Sequence, residues 1–193
     1  MSVGLLALLS VVGQAPKSPA VEAELAFVYG FGSRSAFGAM ATVDVALTLW
    51  ETPGAEGTLQ LGVMGGYQHE PFTLSAALIA PSVVTGGNHR GEALAIAGHT
   101  FRLLPSRRLL VGLQVFAGWT QVSMVGTLSN TAQGVSRAYR ADGGEFTMGT
   151  LVLAGVQVHQ RVAVVGRFIL PIPYQGVAVS SYFMASLGAA LRF

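Results

Sequence analysis

Apolar and polar residues alternate one by one through much of the chain. In the segment that starts at Leu109, the residues Leu109, Val111, Leu113, Val115 and Trp119 fall on one side. Gly112, Gln114, Gly118 and Thr120 fall on the other. A period of two marks an extended strand, because successive side chains leave opposite faces. The C-terminal segment shows the same pattern, with Phe183, Ala185, Leu187, Ala189, Leu191 and Phe193 opposing Met184, Ser186, Gly188, Ala190 and Arg192. Read along the chain, the pattern predicts eight strands, at 24–32, 37–50, 58–68, 92–103, 109–121, 146–158, 161–170 and 181–193. The fourth, 92–103, alternates least cleanly.

The connections between these strands alternate in length. Those at 51–57, 104–108 and 159–160 are short, whereas 69–91 and 122–145 are long; 33–36 is short and 171–180 intermediate. Short turns at one end and long loops at the other are the arrangement of a transmembrane barrel with its short turns in the periplasm. Such a chain has to close on itself, since hydrocarbon cannot satisfy an open sheet edge.

Composition agrees with lipid as the solvent. Of the 193 residues, 51% are hydrophobic and 10% charged, against about 25% charged in an ordinary soluble domain. No uninterrupted apolar run past the N-terminus reaches the length of a spanning helix. Cysteine is absent, which removes thiol chemistry and disulfides, and the net charge of +2 comes from scattered residues, giving no nucleic-acid stripe. The apolar run Val3–Val12 precedes small-residue cleavage candidates at Ser18-Pro19-Ala20 and Val21-Glu22-Ala23. This is the order of a secretory signal peptide, although no Lys or Arg precedes the run. The expected organisation is a signal peptide over 1–23 and a barrel over 24–193, with no further periplasmic domain.

A closing strand with an apolar face that finishes in an aromatic, Phe193, resembles the last strand of bacterial outer-membrane β-barrels. With the strand count and loop alternation, the chain resembles the small OmpA/OmpX-type barrels over nearly its whole mature length. The resemblance implies an all-β fold, an eight-stranded antiparallel up-and-down transmembrane β-barrel in the outer membrane of Gram-negative bacteria. It also implies that Phe193 is part of the signal read by the barrel-insertion machinery, and that outer-membrane lipid and lipopolysaccharide are partners. A soluble eight-stranded barrel such as a lipocalin is the main rival fold, but this chain has too few charges to cover a watery exterior.

Four charged residues lie on the faces assigned to the interior: Glu24, Asp44, Arg167 and Arg192. A charge facing mid-bilayer lipid costs roughly 2–4 kcal/mol, least for acids, so these side chains are expected to point inward and to pair. Closure predicts that Arg192 meets Glu24 where the first and last strands join, and that Asp44 meets Arg167 across the lumen. Such pairs would lock the barrel, or gate it if they exchange partners.

His69 and His89 flank the first long loop, His99 lies in a strand and His159 in a short turn. No His sits beside a Ser in the manner of small-barrel lipid A deacylases; His99 precedes Thr100. His69-Glu70 together with His89 have the chemistry of metal ligands, but loop histidines are ordinarily solvated. No catalytic residue, metal or cofactor is therefore expected. Arg137 and Arg140 in the second long loop suit lipopolysaccharide phosphates. The expected role is structural or surface-interacting, through the long outer loops and a protein partner there. A small pore, or a passage for a hydrophobic solute as in OmpW-like barrels, is the alternative, and a lipid-A-modifying enzyme comes third.

Overall fold

The computed structural model describes residues 19–31, 35–76, 82–103, 108–130, 132–173 and 183–193. Eight strands run in chain order: β1 (Ala20–Phe31), β2 (Ala36–Thr52), β3 (Ala55–Ala76), β4 (Ser82–Leu103), β5 (Leu109–Asn130), β6 (Val135–His159), β7 (Val162–Pro173) and β8 (Phe183–Arg192). Every neighbour is antiparallel, and β8 pairs with β1 to close the cylinder. Among the described residues no helix is long and apolar enough to cross a membrane.

The register sets the width of the lumen. A line of directly paired residues leaves Ala20 and passes through Ala46, Gln60, Gly98, Gln114, Leu151, Ile169 and Met184. It returns to β1 at Gly30, ten residues above its start. Strands staggered in this way tilt, and eight of them leave an interior just wide enough to be filled by side chains. Most residues on this line are buried, whereas the alternate positions form an exposed apolar belt. Leu25, Val63, Leu113 and Leu187 are between 59% and 68% exposed on that belt. The predicted apolar faces are thus the outer surface, and the polar faces line the interior.

Aromatic rings border the belt at both ends, as expected where a barrel meets the two lipid–water interfaces. The upper border is Tyr29, Phe31, Phe37, Tyr67, Trp119, Phe146 and Phe183, joined across strands by the pairs Tyr29–Phe37, Phe31–Phe183 and Trp119–Phe146. The lower border holds Trp50, Phe101 and Phe193. Trp50 reaches it through a bulge between Thr48 and Trp50. Even-numbered β2 residues up to Thr48 face inward; the extra residue turns Trp50 outward, over Gly57 and 6.3 Å from the Phe101 ring. Phe193 is 70% exposed, and its N–H donates to Val21 O at 2.9 Å.

An eight-stranded cylinder with a lipid-compatible exterior and two aromatic borders is a bacterial outer-membrane β-barrel. Two expectations about its ends need correction. The segments 69–91 and 122–145 are not loops over most of their length. β3 and β4 stay paired up to Ala76 and Ser82, and β5 and β6 up to Asn130 and Val135. Chain beyond the bilayer still satisfies its backbone most readily by continuing the ladder, and residues 122–130 alternate weakly because water lies on both faces. The stretch 77–81 and most of 171–180 and 104–108 fall outside the described residues. The first strand also begins at Ala20, four residues before the expected start.

That earlier start bears on signal processing. Cleavage after Ala23 would remove Glu22, which is bonded inside the barrel. Cleavage after Ala20 leaves it. Mass spectrometry of the mature protein is expected to find Val21 at its N-terminus; Glu24 there would contradict this.

Candidate functional site

The lumen is built in three layers. The lowest is mainly polar, with the buried apolar Leu110, Leu153, Ala163 and Val165 along one side. Glu24 Oε2 accepts from Arg167 Nη2 at 2.6 Å and Nε at 2.9 Å, and Arg167 Nη1 donates to Gln114 Oε1 at 2.9 Å. Glu22 Oε1 accepts from Arg102 Nη2 at 2.5 Å, and Glu22 Oε2 accepts from Gln60 Nε2 at 2.8 Å. Gln60 Oε1 in turn accepts from Thr100 Oγ1 at 2.5 Å and Gln114 Nε2 at 2.6 Å. Arg192 lies 3.7 Å from Glu22 and 3.6 Å from Glu56. These bonds and ion pairs join six strands, β1, β3, β4, β5, β7 and β8, and so tie the cylinder across its diameter as well as around its circumference. The space left among these side chains is a cavity of about 30 Å³, on the scale of one water molecule.

Above it lies an apolar layer of Ala26, Val28, Met40, Met64, Leu94, Ile96, Phe116, Leu151, Ile169 and Met184, all buried. The third layer is polar again, with Gln68, Glu70, Arg90, Glu92, Thr120 and Thr147. Arg90 Nε lies 2.6 Å from Glu92 Oε1, and Thr147 Oγ1 donates to Thr120 Oγ1 at 2.9 Å. The two polar layers are separated by ten packed apolar side chains.

Glu24, Asp44, Arg167 and Arg192 all project into the lower layer, but with other partners than expected. Arg192 stands opposite Glu22 rather than Glu24, because β1 starts lower and the β8 register pairs those two residues. Arg167 is committed to Glu24 and Gln114. Asp44 is 3% exposed, and among the described residues its Oδ1 has no hydrogen-bond partner. Sequence reasoning missed Glu22, Glu56 and Arg102. Glu22 was concealed by its place in the expected signal peptide. Arg102 was concealed by β4, whose inward positions include the apolar Leu94 and Ile96 and so blur the alternation.

Outside the lumen, Arg137 and Arg140 are exposed on the projecting part of β6. Arg140 Nε donates to Asp142 Oδ2 at 2.8 Å, and Ser123 Oγ donates to Asp142 Oδ1 at 2.5 Å. The Arg140 bond, joined by that of Ser123, holds the Asp142 carboxyl below the usual carboxylate range. Tyr67, in the upper aromatic border, forms a second outward group with His69 and His89 just above it. The Tyr67 hydroxyl is hydrogen-bonded to His89 Nδ1, and the two imidazole rings lie 4.7 Å apart.

No protein-family model matches this chain, and no curated protein matches it in sequence. Solved structures similar to it share little sequence. Ail, the attachment invasion locus protein of Yersinia pestis, is 12% identical with a TM-score of 0.48, over 91% of this chain and 97% of that one. The N-terminal β-barrel domain of Pseudomonas aeruginosa OprF is 12% identical with a TM-score of 0.45, over 93% and 100%. The outer membrane protease OmpT of Escherichia coli is 9% identical with a TM-score of 0.47, over 93% and 99%.

Proposed function

We propose that this protein is a surface-interaction barrel, anchored in the outer membrane and presenting the upper parts of β3–β6 as a projecting sheet. The observation that carries this reading is the length of β5 and β6, which stay paired up to Asn130 and Val135, well above the upper aromatic border. Val125, Leu128, Val135 and Tyr139 are exposed on the same projection, each 38–44%. Apolar side chains that stand in water beside cations offer a contact surface to another protein. Arg137 and Arg140 are exposed on the same projection, where they suit acidic side chains of a partner or lipopolysaccharide phosphates. Next to the tip of the hairpin, Asn130 Oδ1 accepts from the N–H groups of Ala132 and Gln133 at 3.0 and 3.2 Å, and Gly134 takes a φ of 63°.

The layered lumen supports this reading over a pore, since ions would have to cross ten close-packed apolar side chains. As to a lipid-modifying enzyme, hydroxyl nucleophiles need a base within reach. Ser123 is bonded to Asp142, and His89 to Tyr67, so neither forms a serine–imidazole pair.

The test is a hairpin-trimmed variant in which 124–141 are replaced by a short Gly-Ser turn. Cells displaying each form are probed on an array of extended peptides. Peptide binding is expected with the full chain and at least tenfold less with the trimmed one, while the unboiled gel mobility of a folded barrel is retained. Equal binding by both forms would contradict the reading.

A further inference from the structure

His69 and His89 were expected as solvated loop residues. The structure instead places them directly opposite one another on paired strands, β3 and β4, both on the outer face. Tyr67 belongs to the upper aromatic border, and His69 lies two residues further along the same face of β3. The pair therefore sits at the level of the outer headgroups. Glu70 is on the other face of β3 and contributes to the lumen, so it does not join them.

Both rings are held. His69 lies across Gly87, where a Cβ would fall against its ring atoms, the nearest being Cε1. Only glycine leaves that path open. His89 is fixed through the Tyr67 hydroxyl at Nδ1. When Nδ1–H donates to the Tyr67 oxygen, the Nε2 lone pair of His89 is left available, and metal-binding histidines are oriented by a bond of this kind at their second nitrogen. Among the described residues His69 Nδ1 has no hydrogen-bond partner, although the atom is buried. Two imidazoles are thus clamped side by side with ring centroids 4.7 Å apart and planes tilted by 43°.

From this arrangement we infer a two-imidazole site for a divalent transition metal of the zinc, nickel and copper class. Neutral imidazole nitrogen suits these ions and not the hard cations magnesium and calcium. The protein supplies two ligands only: among the described residues no three His, Cys, Asp or Glu side chains converge. The nearest outward carboxylate, Asp142, stands two strands from His89, about 10 Å away by strand spacing, and is held by Arg140 and Ser123. The remaining positions face the headgroup region and are open to water or to a lipid phosphate oxygen.

The test is calorimetric titration of the full chain, folded in detergent micelles and stripped with EDTA, using zinc chloride alone. One site per chain is expected. His69→Ala and His89→Ala are each expected to weaken it at least tenfold, while His99→Ala and His159→Ala leave it unchanged. Gly87→Ala keeps both ligands but displaces the His69 ring, and is expected to weaken zinc at least fivefold. The unboiled gel mobility confirms that each variant is folded, and magnesium chloride is expected to give no site. Absence of zinc binding, or zinc affinity unchanged in both His69→Ala and His89→Ala, would overturn the proposal. Unchanged affinity in Gly87→Ala would overturn the clamped geometry on which it rests.

Discussion

Arg167→Ala is expected to lower the unfolding free energy of the barrel by about 3–5 kcal/mol, the usual consequence of stranding one member of a buried ion pair. Arg167 and Glu24 side chains are 3% and 2% exposed, and the guanidinium also holds Gln114. Its removal would leave a carboxylate in the lumen with no cation bonded to it and break a link between β7, β1 and β5. The double variant Glu24→Gln, Arg167→Met removes both charges at similar volume and is expected to recover most of the loss. Urea unfolding in lipid vesicles, followed by the fluorescence of Trp50 and Trp119, measures both. A loss below ~1 kcal/mol in Arg167→Ala, or no recovery in the double variant, would show that the lower layer is not a closed ion-pair network.

The exterior carries the second large effect. Val63 is 62% exposed near the middle of β3, between Val43 and Ala95 on its neighbours. Val63→Arg is expected to destabilise the folded barrel by roughly 2–4 kcal/mol in bilayers, because the charge enters hydrocarbon near mid-depth. Val125 is 44% exposed and lies above the upper aromatic border on β5. The same change there puts a charge into water and is expected to alter stability by less than about 0.5 kcal/mol. The two positions are both surface valines in strands, so the contrast reports the solvent they face. Equal effects in the vesicle assay would contradict a lipid belt between the borders.

The strand framework was legible because lipid outside and polar groups inside impose opposite demands on alternate residues. β2, β5 and β8 satisfy both demands, and their predicted faces are those observed. Legibility failed where an inward position is itself apolar. Leu94, Ile96 and Leu151 in the middle layer, and Leu153 below it, face the lumen yet resemble lipid-facing residues, so these positions are invisible in a two-letter pattern. Pair identities failed for another reason. Parity tells which face a side chain takes, but the partner across a barrel depends on the stagger accumulated around all eight strands. A stagger of ten residues brings Arg192 to Glu22, while Glu24 meets Arg167. The projecting sheet was hidden because strands in water on both faces have no reason to alternate, so their sequence looks like loop. For the same reason His69 and His89 looked solvated, and only the β3–β4 register shows them as neighbours.

A barrel that spans the membrane and is sealed by its middle layer passes no ions. The most direct measurement is single-channel recording of the purified protein in planar bilayers, on preparations whose gel mobility shifts on boiling. A folded, heat-modifiable barrel with no discrete conductance is expected. Stepwise conductance from such preparations, abolished on boiling, would contradict it.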